Sequence, residues 1–159
     1  MFRECRIKVG MSCDIEGVQI ASTAKNIFAI LMGMMEGMKK SDSDKAAVMS
    51  VLTNDLRVLI EIFGGKYQTV FTFAGIGDLL LTCTSKKSRN YQFGILIGKE
   101  NNKEEALKIM QTSTIEGIGS LEALKKLLYE KEIKMKSIDF IYDVVYNGGK
   151  PEHILSKIK

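Results

Sequence analysis

Three groups of side chains in this sequence have types and settings that suit chemistry: Lys25-Asn26, Asp78, and Ser88-Arg89-Asn90. Lys25 stands in a stretch that is apolar on most sides, and an ammonium is costly to bury unless a partner or water meets it. Desolvation drives an ammonium towards proton release, whereas a neighbouring carboxylate holds its proton. A lysine so placed is therefore a candidate general acid or base. The competing reading is a packed stem whose head snorkels to solvent. Asp78 lies between the glycines of Gly75-Ile76-Gly77 and the aliphatic run Leu79-Leu80-Leu81. Glycines permit tight turns and close backbone approach, so an acid held beside them has a set direction. The alternative is an aspartate that only caps the segment beginning at Leu79. If Ser88 caps a helix, Arg89 and Asn90 fall in its first turn. Unpaired N–H groups, the helix dipole and a guanidinium fork then converge on one point, which suits a phosphate. A plain helix start with a solvated arginine is the alternative there.

Other features carry less. Gly75-x-Gly77 is not a dinucleotide fingerprint: the third glycine is replaced by Leu80, and no strand–helix unit with a following acid surrounds it. Cys83 has polar neighbours, Thr82 and Thr84, but no histidine placed to activate it, so it reads as a structural thiol. The cluster Met32, Met34, Met35 and Met38 reads as core filler.

The elements that must position these residues are mostly helical. The spacing predicts a helix from Gly17 to about Lys39, apolar nearly all round, as expected of a helix buried at the centre of its domain. Ser41 to Asp44 forms a turn with N-cap residues. A second helix runs to about Phe63 through Val48, Val51, Leu52, Leu59 and Ile62, and Gly64-Gly65 ends it. Val70 to Ser85 is ambiguous, because its glycines break the period and Leu79 to Leu81 suits helix or strand alike. Ser88 starts a helix that reaches Ile97, with Gly98 as its stop. Further helices are expected over Lys103–Met110, Glu116–Glu130 and Asp139–Asn147, the last closed by Gly148-Gly149, and Pro151 sits where a first helical turn accepts it. Arg3 to Gly10 alternates as a short strand. The fold class expected is all-α with one N-terminal strand.

Composition narrows the function. The chain has 159 residues, enough for one domain with a real core, and is 45% hydrophobic with a net charge of +4. Its basic residues are dispersed rather than set in a stripe with aromatics, which argues against nucleic acid. Cys5, Cys13 and Cys83 form an odd set without CxxC spacing, which argues for reduced thiols in a cytoplasmic setting. The single histidine, His153, leaves no histidine-based metal site. The polar start lacks a secretory apolar region, and the run Ile27 to Met35 is too short to span a bilayer.

The order of these motifs resembles one family, the NAD(P)-dependent glycerol-3-phosphate dehydrogenases, in the half that follows their nucleotide domain. Gly17-Val18-Gln19-Ile20 leading into Ala24-Lys25-Asn26 resembles the segment that brings the family's catalytic lysine. Gly75-Ile76-Gly77-Asp78-Leu79-Leu80-Leu81-Thr82-Cys83-Thr84-Ser85 is similar to its central signature nearly letter for letter. Ser88-Arg89-Asn90 with Phe93-Gly94 follows as it does there, Ile115-Glu116-Gly117 resembles the later segment that reaches the cofactor, and Tyr142 to Pro151 looks like the closing helices.

The resemblance implies a C-terminal helical domain of the 6-phosphogluconate-dehydrogenase-like type over residues 11–159, with residues 1–10 as the last strand of a nucleotide-binding domain otherwise missing or separate. It implies that Lys25 is the general acid/base and that Asp78 orients it, with Asn26 and Thr82 also at the substrate. Ser88, Arg89 and Asn90 would hold the phosphate, and Arg89, Thr114 and Glu116 would meet NAD or NADP. The implied reaction is interconversion of dihydroxyacetone phosphate and sn-glycerol 3-phosphate, feeding glycerophospholipid synthesis, with the chain alone inactive; apolar surface left where the nucleotide domain would dock is expected to make the isolated chain self-associate, a homodimer being one form. Two other readings stand beside it: a non-catalytic helical dimerisation module, and a related two-domain dehydrogenase with a different substrate. Two departures from the family pattern are Thr114, where an aliphatic residue is usual, and Met135-Lys136-Ser137 in place of Met-Pro-Ile.

Overall fold

A computed structural model describes residues 10–112 and 114–158 of the chain, and every regular element among them is helical. The strand expected at Arg3 to Gly10 lies outside the described residues except for Gly10, which is in no regular element. Helix α1 (Ile15–Gly37) is the axis of the domain. From Ile27 to Met35 nothing polar interrupts it, and every residue of that run is buried, so this helix has no solvent face over its middle turns. By length and composition α1 is apolar enough to cross a membrane, with a mean hydropathy of 1.3, but 61% of that window is buried inside the fold, as in a core helix.

Helix α2 (Asp42–Ile62) is capped by Ser41, whose hydroxyl accepts from the Asp44 amide, and it lays Val48, Leu52, Leu56 and Leu59 against α1. A 3-10 turn (Tyr67–Phe71) and a π turn (Phe73–Gly77) then lead into α3 (Asp78–Thr84). Helix α4 (Arg89–Glu100) packs along α1. It continues past Gly98, which was expected to end it. The left-handed C-cap is Asn101, at φ 48°. Helices α5 (Lys103–Ile109), α6 (Glu116–Glu130) and α7 (Lys136–Tyr146) complete the shell, followed by a 3-10 turn at Pro151–His153 and α8 (Ile154–Lys157).

Gly98 has a different task from the one its position suggested. Gly33 and Gly37 on α1 face Gly94 and Gly98 on α4, and the two backbones meet without side chains between them. A Cβ at Gly94 would lie 2.0 Å from the Ile30 carbonyl oxygen, and one at Gly98 would lie 2.4 Å from that of Met34. On the other side, a Cβ at Gly33 would lie 2.1 Å from the Tyr91 oxygen and one at Gly37 2.2 Å from that of Ile95. Helical spacing puts Asn26 and Ile30 on the same face of α1 as Gly33, and Asn90 on the same face of α4 as Gly94. The glycine seam therefore sets how closely Lys25-Asn26 and Ser88-Arg89-Asn90 can approach.

The start of α1 is fixed by Asp14. Its buried carboxylate accepts from the Gly17 amide at 3.1 Å, the Lys66 amide at 2.9 Å and the Thr69 hydroxyl. These bonds, the Thr69 hydroxyl first, hold the Asp14 carboxyl below its ordinary range. One side chain thus joins the N-terminus of α1 to the turn that precedes α3.

Candidate active site

The π turn aims Asp78. Thr72 caps it, accepting from the Gly75 amide, and Gly75 sits at φ −91°, ψ −110° with the Thr69 and Val70 carbonyls 2.3 Å from where a Cβ would be. Only a glycine lets the chain pass so near these oxygens and deliver Asp78 as the first residue of α3. There the Asp78 carboxylate is paired with the Lys25 ammonium, and its other oxygen accepts from the Thr82 hydroxyl at 3.3 Å. The Lys25 side chain is 20% exposed, so its head is neither sealed in the core nor free in solvent. An aspartate that only capped α3 would not make this long-range pair.

Next to the pair lies a pocket of about 440 Å³, lined by Thr82, Ser85, Lys87, Ser88, Arg89, Asn90 and Glu116, with Leu81 at its rim. Ser88 is the N-cap of α4, its oxygen accepting from the Tyr91 amide at 3.3 Å. Ahead of that amide, the N–H groups of Arg89 and Asn90 belong to the unpaired first turn of the helix. Arg89 is well exposed, with its guanidinium 3.5 Å from the Glu116 carboxylate. Lys87 supplies a second cation that sequence reasoning passed over. Its place in the Ser85-Lys86-Lys87-Ser88 loop, just before the cap, was the available signal. Thr82 belongs to both features, lining the pocket and touching Asp78.

The remaining candidates are placed as follows. Asn26 approaches Glu116 at 3.5 Å and accepts from the Asn90 amide at 3.0 Å. Asn90 is almost fully enclosed, and its oxygen accepts from the Gly117 amide at 2.9 Å. Thr114 is exposed, is bonded to Thr112, and is not part of the pocket lining. Cys83 is buried against α1, and burial pushes its thiol well above the ordinary range, which leaves it inert as a nucleophile. Among the described residues no three His, Cys, Asp or Glu side chains come together as metal ligands.

Solved structures that superpose on this arrangement of helices include glycerol-3-phosphate dehydrogenases. The chain superposes on glycerol-3-phosphate dehydrogenase from Coxiella burnetii with a TM-score of 0.90 at 30% identity, covering 96% of this chain and 47% of that one. The Saccharomyces cerevisiae enzyme superposes at 0.83 over 92% of this chain and 43% of its own, and at 20% identity it speaks for the fold alone. The fold is thus that of a helical part, somewhat under half, of these dehydrogenases. Residues 14–156 match the family described as NAD-dependent glycerol-3-phosphate dehydrogenase C-terminus, and the chain belongs to that family. A curated relative, the glycerol-3-phosphate dehydrogenase [NAD(P)+] of Clostridium perfringens, is 35% identical over 156 residues, covering 98% of this chain and 47% of the relative. The Moorella thermoacetica protein of the same name is 36% identical over 148 residues. The chain spans about half the length of the curated relatives it matches.

Proposed function

We propose that this chain is the substrate-binding and catalytic half of an NAD(P)-dependent glycerol-3-phosphate dehydrogenase, interconverting dihydroxyacetone phosphate and sn-glycerol 3-phosphate for glycerophospholipid synthesis. The observation that carries this reading is the Lys25–Asp78 pair beside a cationic pocket at a helix N-terminus. The pocket supplies what a phosphate dianion needs: the α4 first-turn N–H groups, the planar fork of Arg89, the Ser88 hydroxyl proton and the Lys87 charge. With the phosphate held there, Lys25 gives a proton to the C2 oxygen during reduction and takes it back during oxidation. Asp78 fixes the direction of the ammonium, and Thr82 fixes Asp78.

The donor set also fits a nicotinamide dinucleotide. Arg89 would meet its phosphates, while Glu116 would accept from its hydroxyl or amide N–H groups, with Thr114 on the approach to Glu116. The dinucleotide would supply the hydride, and this chain the position and the proton. Its nucleotide-binding unit, joined to residues 11–159 or separate, would dock on the exposed apolar surface formed by Met11, Phe71 and Phe73, which borders Asp78.

The test is turnover. The chain combined with a nucleotide-binding unit of the family should oxidise NAD(P)H in the presence of dihydroxyacetone phosphate, and the chain alone should not. Lys25→Met in the active assembly should lower kcat on the order of a hundredfold or more, as loss of a general acid does. Near-normal kcat in that variant, or turnover by the chain alone, would overturn the assignment.

A further inference from the structure

Lys25 and Asp78 are brought together by two elements from distant parts of the chain, and one side chain outside the pocket holds both elements. Asp14 caps α1 about three turns before Lys25. Its Oδ1 accepts from the Gly17 amide at the helix start, and its Oδ2 accepts from the Lys66 amide and the Thr69 hydroxyl of the turn after α2. The ionised carboxylate can only accept, so the single hydroxyl proton of Thr69 must point at it. Thr69 is buried and β-branched, so fixing its hydroxyl also fixes its rotamer against its own backbone. The Thr69 carbonyl accepts from the Thr72 hydroxyl at 2.7 Å and from the Thr72 amide at 3.2 Å. Thr72 in turn receives the Gly75 amide on its hydroxyl oxygen and the Gly77 amide on its carbonyl, both at 3.3 Å. The Asp78 amide completes the path on the Gly75 and Phe73 carbonyls. A continuous run of hydrogen bonds thus leads from Asp14 to the backbone of Asp78. The turn also meets α1 directly, because a Cβ at Gly65 would lie 2.6 Å from the Gly17 Cα. Leu79 and Cys83 bury α3 against α1 as well. Apolar burial is non-directional, however, and does not by itself fix where Asp78 stands along α1.

We propose that Asp14 is a positioning residue: its carboxylate clamps the start of α1, which carries Lys25, to the turn that delivers Asp78, and so sets the register of the ammonium against the carboxylate. The inference rests on the general-acid reading of Lys25. Asp14 is buried outside the pocket lining and acts only through the two elements it joins. The phosphate donors Ser88 and Arg89 start α4, outside this run of bonds, so the clamp serves the proton step and not substrate binding.

Three variants test this in the active assembly with a nucleotide-binding unit. Thr69→Val keeps the shape of the side chain and removes the hydroxyl that Asp14 holds. Asp14→Ser keeps a cap for α1 but is too short to reach Lys66 and Thr69 as well. Ser41→Ala uncaps α2 and is the control for lost stability alone. Thr69→Val and Asp14→Ser should each lower kcat about tenfold or more, since a misplacement on the order of 1 Å can cost about a hundredfold, while KM for dihydroxyacetone phosphate holds. Ser41→Ala should leave kcat where it is. An unchanged kcat in the clamp variants, a loss matched by Ser41→Ala, or a rise in KM with kcat intact overturns the proposal. Should Asp14→Ser not fold, Thr69→Val, the milder change, decides. A second readout needs neither substrate nor cofactor. The Lys25 ε-carbon resonance in a carbon-13 spectrum of the full chain should shift in both clamp variants and stay put in Ser41→Ala, and an unmoved resonance in the clamp variants refutes the clamp. If the unsubstituted assembly shows no turnover, the dehydrogenase reading fails, while this resonance still decides the clamp.

Discussion

Replacing Gly94 with alanine tests the seam on which the site depends. The new Cβ would lie 2.0 Å from the Ile30 carbonyl oxygen, and ordinary contact begins at 3.4 Å, so α1 and α4 must part locally by about 1.4 Å. The obstruction is backbone on a fully buried turn of α1, not the end of a flexible side chain that could swing away. Overpacking of this kind costs about 2–3 kcal/mol. For a chain of this size, each kcal/mol moves the melting temperature by about 2–4 °C, so Gly94→Ala should melt about 4–12 °C lower. The damage should also reach the pocket, because Asn90 lies one turn away on the same face and its 3.0 Å bond to Asn26 has no slack for such a separation. Gly119→Ala is the matched control. It lies within α6 with nothing within 4 Å of its Cβ, so it should be neutral or stabilise by up to about 1 kcal/mol. Calorimetric melting of the two variants against the parent decides the matter. If Gly94→Ala melts with the parent, the close approach of α1 and α4 is not what sets the site's geometry.

Arg89→Lys keeps the charge but loses the fork, so it should weaken sn-glycerol 3-phosphate binding several-fold, and Arg89→Ala should weaken it at least tenfold. Neither variant should change the affinity for glycerol, and an equal loss on both ligands would put the phosphate elsewhere. Two carboxylates should shape acid stability in opposite directions. Asp14 has a lowered pKa, so its contribution is present above its unfolded value of 3.8 and is lost as the pH falls through the folded value. Asp14→Asn should therefore flatten the acid limb of a plot of melting temperature against pH. Asp55 is half-buried beneath the Ser137 hydroxyl at 2.5 Å, and burial raises its pKa. The folded state thus holds its proton more tightly, and stability falls as pH rises from 3.8 through the raised value. Asp55→Asn should raise the melting temperature at neutral pH and leave it unchanged well below pH 3.8, whereas a neutral-pH loss would refute this account.

Helices with a strong apolar pattern were legible from the residues alone. The α6 bounds match the expected Glu116–Glu130, and α1 and α2 differ only by a turn or less at their ends. The helix start at Ser88 was legible too, because a cap is local chemistry. Gly98 misled because a glycine near a helix end reads as a stop, whereas here it makes room for a neighbouring backbone that local sequence does not reveal. The Val70–Ser85 region resisted a reading because a π turn around Gly75 follows neither the helical nor the strand period. The pairing of Lys25 with Asp78 joins residues 53 apart, so periodicity could nominate each residue but not bring them together. Asn90 shows the same limit: its bonds to Asn26 on α1 and Gly117 on α6 join residues 64 and 27 apart, which local sequence does not reveal.

The burial of α1 has a consequence during synthesis. This helix is the most apolar part of the chain, yet the helix that packs along its length, α4, begins only at Arg89. Roughly 50 residues separate them, which a ribosome adding about 5–20 residues per second takes about 3–10 s to produce. For those seconds a segment with the length and apolarity of a membrane span has no partner for its glycine face. Recognition by chaperones or by the membrane-targeting machinery would compete with folding in that interval. Slowing translation between α1 and α4 should therefore lower the yield of native protein more than slowing it after α4.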